Sequence, residues 1–152
     1  MTVADASSSF PPVAELVPQR PPMLLLDEVV AAEGDTITCT ALVRRDNPLA
    51  REGQLPAAAV LEYMAQTIAA LAGLRARAAG LPPAIGLVAA CRDFDLEVEH
   101  LRVGDRLVID AARVWPPFAD AGELAEYTAR VTRDGAAIAR AAIHVVSARR
   151  SP

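Results

Sequence analysis

Three observations in this 152-residue chain predict an α+β domain, with an antiparallel sheet of about six strands wrapped around one long central helix. The first is a single apolar stretch, Ala57 to Ala79, too long for a strand and interrupted only by Gly73. The second is period-two alternation in DTITCTALVR before that stretch and in FDLEVE and LAEYTARVT after it, which marks half-buried strands. The third is Asp134-Gly135 between LAEYTARVT and AAIARAAIHVV, the dipeptide of a tight hairpin turn. A lone helix among antiparallel strands buries its apolar side only if the sheet curls round it. The edges of such a sheet invite pairing with a second copy or a similar protein.

In chain order, MTVADASSSFPP (residues 1–12) reads as a flexible N-terminal tail, without the basic and apolar regions of a signal peptide. Val13 to Val17 is expected to be a short helix ended by Pro18. MLLLDEVV has strand character and Glu33-Gly34-Asp35 is a turn. In the next strand Ile37, Cys39, Ala41 and Val43 share one face, so Met23 to Arg45 is expected to form a hairpin. Asp46 to Leu55 reads as loop. Pro56 suits the first position of a helix, and Gly80-Leu81-Pro82-Pro83 stops it. At 100° per residue Val60, Leu61, Met64, Ile68, Leu71 and Leu74 gather on one side. Glu62 and Gln66 lie opposite, among Ala58, Ala59, Ala65, Ala69 and Gly73. Small residues there either face water or admit another backbone. The remainder, from Ile85, reads as about four strands in a meander, with a turn at Val103-Gly104-Asp105 and a loop at Pro116 to Gly122. The single domain spans 13–148, followed by a C-terminal tail at 149–152.

Composition limits the function. Apolar residues make up 53% of the chain, enough for a core, and no run of roughly 18 apolar residues suggests a membrane span. A net charge of −4 argues against a nucleic-acid partner, which needs a clustered basic surface. Cys39 and Cys91 match no metal spacing and read as free, buried thiols of a cytoplasmic protein. No phosphate loop, zinc pattern or nucleophile elbow is present, so neither a metal nor another cofactor is expected.

Three segments together resemble the 3-hydroxyacyl-acyl-carrier-protein dehydratases. LVPQRPPMLLLDEVV is similar to their LPHRxPFLLVDRV opening, LPAAAVLEYMAQ to their MPGVLxxEAMAQ helix start, and LRVGDRLVI to their VPGDxL turn. The resemblance implies the hotdog fold, a dimer formed through the sheet edge, and lyase chemistry on acyl thioesters of fatty-acid or polyketide synthesis. In that family a histidine removes the proton α to the thioester carbonyl, a carboxylate handles the departing hydroxyl, and backbone N–H groups at the helix start polarise the carbonyl. Glu62 matches the carboxylate. The histidine, fourteen residues earlier, falls on Pro48, and no histidine occurs between Met1 and Glu99. The family's Pro-Gly becomes Pro56-Ala57, and its PHR becomes Pro18-Gln19-Arg20. In this the chain is similar to histidine-lacking predicted dehydratases associated with aryl-polyene synthesis, where a paralogue can supply the missing group.

The expected site therefore has Glu62 as catalytic carboxylate and Pro56, Ala57, Ala58 and Gln66 as substrate-binding residues. The plain alternative makes Glu62 a solvated residue favoured by the helix dipole. His100 and His144, the only histidines, are more ordinary as structural or exposed residues. Arg44, Arg45 and Arg51 flank the loop before the helix, where they either attract an acidic acyl carrier protein and its phosphate-bearing arm or serve as ordinary solubilising charges. The expected function is a dehydratase-like protein working on a carrier-bound acyl chain, as homodimer or as heterodimer with a second hotdog protein. An acyl thioesterase and a non-catalytic acyl-binding subunit are the alternatives.

Overall fold

The computed structural model describes residues 9–82, 85–115 and 123–148. The expected tail over residues 1–8, the loop at Pro116 to Gly122, Pro83 of the helix stop and the tail at 149–152 lie outside them. Phe10 packs against the core, and a 3-10 turn follows at Val13–Glu15. Strands β1 (Glu28–Glu33) and β2 (Thr36–Leu42) form a hairpin. Its turn holds Gly34 at φ 57°, a conformation that side chains disfavour. Strand β3 (Gln54–Pro56) leads through a 3-10 turn at Ala57–Ala59 into helix α1 (Val60–Ala78). Then come β4 (Ile85–Leu96), β5 (His100–Arg102), β6 (Arg106–Trp115), β7 (Glu123–Arg133) and β8 (Ala136–Ala148).

Six strands form one antiparallel sheet in the order β1-β2-β6-β7-β8-β4, while β3 and β5 pair separately. The helix packs against β2, β6 and β7, the middle of the sheet. Ile37, Cys39, Ala41 and Val43 are buried as the alternation requires, and Leu107, Ile109, Ala111, Tyr127, Ala129 and Ile143 join them. One long helix held by a six-stranded antiparallel sheet is the predicted architecture.

Three expectations need correction. The last strands are not a simple meander, because β4 pairs with β8 at the far edge. β2 pairs directly with β6 along its whole length, leaving no place for β4 between them. Pro56 ends β3 and precedes the first helical turn instead of starting it. The run Met23 to Asp27 is not strand; β1 begins at Glu28. Residues 13–26 form a strap that meets α1 at Gly73 and Gln66, burying Val13, Leu16, Val17, Leu25 and Leu26.

The strap also decides what the small residues of the helix are for. A Cβ on Gly73 would stand 2.2 Å from the Leu16 carbonyl oxygen, so the other backbone does approach here. Arg77 Nη1 reaches Glu15 Oε2 at 3.0 Å beside this crossing. By length and composition alone Ala57–Ala78 would pass for a membrane span. Here 56% of that apolar window is buried inside the chain.

Candidate active site

Glu62 lies in the first turn of α1, half-buried, on a stripe with Ala58, Leu61, Ala65, Ala69 and Ala72. This stripe runs at helical spacing, and each of its residues keeps some exposure in the single chain. Gln66, one turn further on, is 0% exposed. Its Nε2 donates to Glu62 Oε1 at 2.9 Å and to the Met23 carbonyl at 2.7 Å, while its Oε1 accepts the Leu25 N–H at 2.9 Å. The structure thus joins Glu62 and Gln66 but places Gln66 inside the strap contact.

At the helix start Ala57 is buried and its N–H donates to the Glu99 carbonyl at 3.0 Å. That donor, expected to face substrate, is engaged within the chain. Neither the 3-10 turn nor α1 has a side-chain cap, and Ala58 is exposed at the positive end of the helix dipole. Pro56 is exposed and pairs with His100 across β3 and β5.

The loop that would carry a family histidine is held tightly and has Pro48 at that position. Asn47, 6% exposed, donates from Nδ2 to the Tyr63 hydroxyl at 3.1 Å, and its Oδ1 accepts the Leu49 N–H at 2.8 Å. Pro48 sits inside that turn. Burial pushes the Tyr63 phenol up to about 12, outweighing the Asn47 hydrogen bond, so it stays protonated at neutral pH. Asn47 and Tyr63 were not singled out in the sequence. The Asp-Asn-Pro turn signal and a tyrosine in an apolar helix were the available cues. A cavity of about 90 Å³ adjoins them, lined by Leu24, Leu25, Leu26 and Leu42.

Neither histidine joins Glu62. His144 is on β8 between buried Ile143 and Val145, so it faces away from the helix, where Nε2 lies 3.7 Å from Glu126 Oε1. His100 is exposed and lines a cleft of about 560 Å³ with Arg102, Asp105 and Arg133. A cleft of about 680 Å³ opens on the outer face of the sheet against Asp95, Asp110, Arg130 and Arg140, away from every predicted site residue. Arg44 pairs with Asp27, Arg51 donates to the carbonyls of Pro48 and Ala50, and Arg45 is exposed. No group of His, Cys, Asp and Glu suited to a metal ion occurs among the described residues.

Comparison with known proteins agrees with the fold. A family model described as ApeP-like, ApeP dehydratase, matches residues 11–151. No curated protein sequence matches the chain. Among solved structures the dehydratase heterocomplex ApeI:P from Xenorhabdus doucetiae aligns with a TM-score of 0.84 at 20% identity, covering 93% of each chain. The PaaI protein of the phenylacetic acid degradation operon of E. coli aligns at 0.57 with 13% identity, over 78% of this chain and 81% of that one. A hypothetical thioesterase protein with coenzyme A from Streptococcus pneumoniae aligns at 0.58 with 13% identity, over 82% and 88%. At such identities the structural matches speak for the fold, which is the hotdog.

Proposed function

The chain belongs to the ApeP-like dehydratase family, and from that premise we propose that it is the histidine-lacking subunit of a two-protein dehydratase acting on carrier-bound 3-hydroxyacyl chains. One observation carries this reading. Glu62 is half-buried and held by Gln66 on an uncovered helix stripe, while Pro48, where the family's histidine falls, cannot accept a proton.

Elimination needs two proton movements. A base takes the α-proton as the C–C double bond forms; the C3–O bond breaks, and the hydroxyl leaves as water with a proton from the Glu62 carboxyl. The Ala58 N–H would stabilise charge on the thioester oxygen during that step. Each acid or base typically contributes about 10²–10⁴-fold, so a carboxyl acting alone would be slow. A second hotdog protein carrying a histidine would complete the pair.

The strand order supports one edge as the surface for that partner. Edge β1 is short, bulged between Val29 and Ala31, and bounded by Glu28 and Glu33. Edge β4 is twelve residues long, with Leu87 65%, Val88 44% and Leu96 39% exposed. The register of β4 shifts at Val88/Ala90 and Arg92/Asp95, but its exposed Leu87 and Val88 form an apolar stretch on an edge strand, which supports pairing there. Exposed Arg44 and Arg45 follow β2 and support approach of an acidic carrier.

The test is a dehydration assay with 3-hydroxyacyl carrier substrates, using the chain alone, a histidine-bearing hotdog partner alone, and the mixture. The mixture is expected to exceed the sum, and Glu62→Gln to remove that gain. Vigorous dehydration by the chain alone would refute the subunit reading, with His100 the first residue to substitute. Release of free thiol without dehydration would point to a thioesterase instead.

A further inference from the structure

Alternation on the central strands sets two neighbouring rows on the outer face of the sheet. Ala111 of β6, Ala129 of β7 and Ala141 of β8 are buried in the core, so the residues on either side of each point outward. Strand register aligns those outward residues. One row runs Thr38, Asp110, Arg130, Arg140, Asp95, and the next runs Ala112, Thr128, Ala142. Small side chains beside long ones leave the cleft of about 680 Å³. A bulge between Arg92 and Asp95, with Asp93 at φ 51°, places a second carboxylate of β4 in its wall. Arg130 and Arg140 stand directly opposite each other, and like charges so placed destabilise a sheet. Their carboxylate neighbours offset this only in part. Asp110 Oδ2 lies 3.7 Å from Arg130 Nη2, beyond hydrogen-bond reach, and Asp110 Oδ1 accepts the Thr38 hydroxyl at 2.6 Å. Arg140 makes no ion pair among the described residues, although Asp95 is its strand partner.

We propose that this cleft binds a phosphate monoester of a hydroxyl-rich group, a sugar phosphate or nucleoside monophosphate. The phosphoryl oxygens take the guanidinium forks of Arg130 and Arg140, whose planar N–H donors match a phosphate in pairs. A dianion between the two arginines turns their mutual repulsion into a shared attraction. The organic part lies over Ala112 and Ala142, and Asp93 and Asp95 accept its hydroxyls. The carboxylates also set the class of ligand. Three aspartates and two arginines line the cleft, so a bare anion meets a wall of net negative charge. Only a ligand that brings donors as well as charge uses both kinds of residue. The volume lies within the roughly 300–1,000 Å³ of small-molecule sites. The cleft is on the far side of the sheet from α1, so this binding is independent of any chemistry at Glu62.

The test titrates the full chain with ribose 5-phosphate, adenosine 5′-monophosphate, inorganic phosphate and ribose at constant ionic strength. At concentrations well above its Kd, at least one ester should raise the thermal midpoint by about 2 °C or more. Inorganic phosphate should do less and ribose nothing. In NMR spectra the side-chain Nε–H signals of Arg130 and Arg140 should shift with the ester. Those of Arg75 and Arg77, paired with Asp35 and Glu15, should stay. A larger response to the nucleotide assigns the cleft to nucleotides, and an equal or smaller one to sugar phosphates. Arg140→Gln should abolish the response and, without ligand, hold or raise the midpoint, because it removes a like-charge contact. Unmoved Arg130 and Arg140 signals with both esters would overturn the proposal. So would a response to inorganic phosphate as large as to the esters, or a ligand-free loss of stability in Arg140→Gln. The signal test uses the wild type alone and decides the matter even if that variant fails to fold.

Discussion

At the scale of single residues, close approach and burial set effects that helix or thiol chemistry alone would get wrong. Gly73 in mid-helix should gain stability of about 1 kcal/mol on changing to alanine by propensity. The Leu16 carbonyl oxygen lies 2.2 Å from where that methyl would be, and a backbone atom cannot swing aside as a flexible side chain can. Gly73→Ala is therefore expected to destabilise, by roughly 1–3 kcal/mol as overpacking does, with thermal unfolding as the check. Cys39 is 0% exposed and burial pushes its thiol up to about 12, as it does the Tyr63 phenol. In the unfolded chain these groups ionise near 9 and 10, so there they release protons that the folded state retains. Their stabilisation is complete below about pH 9 and declines as pH rises toward 12. Urea unfolding at about pH 10.5 should give lower stability than at pH 7, with a smaller drop in Cys39→Ala.

Among the elements, strap and edge strand have opposite tasks. The strap closes the chain upon itself: Leu16 meets Gly73, Glu15 meets Arg77, and Met23 and Leu25 meet Gln66. Strand β4 leaves the chain open, since only β8 pairs with it and Leu87 stands 65% exposed. If β4 receives the partner, Leu87→Lys should abolish the complex while leaving the unfolding temperature of the isolated chain nearly unchanged. Exposed sites away from special features usually matter by less than about 0.5 kcal/mol. Light scattering of the mixture measures the first outcome and calorimetry of the chain the second. Retention of the complex in that variant would move the interface elsewhere.

For the whole molecule, the proposed division of labour predicts that the chain alone dehydrates slowly and that a histidine-bearing partner raises the rate by about 10²-fold or more, the usual worth of a general base. The coarse architecture behind that prediction was legible in the sequence because it depends on local periods: alternation marked β2 and β7, the apolar run marked α1, and Asp134-Gly135 marked the last hairpin. Motif order supplied the match of Glu62 to the family carboxylate and of Pro48 to its histidine, on which the proposed function rests. The strap was not, because MLLLDEVV has the same composition whether it lies in a sheet or across a helix. Nor was the place of β4 beside β8, which depends on β6 having already taken the flank of β2. Gln66 shows the limit most clearly. Helical spacing set it one turn from Glu62 and on the presumed polar side, but whether that side met water depended on a segment forty residues earlier in the chain. Sequence by itself determined which residues share an element and a face, since that follows from bond geometry repeated every two or 3.6 residues. Only tertiary structure decided what covers each face, because burial is settled by elements remote in sequence, and burial made Gln66 a structural partner of Glu62 and pushed the Tyr63 phenol up to about 12.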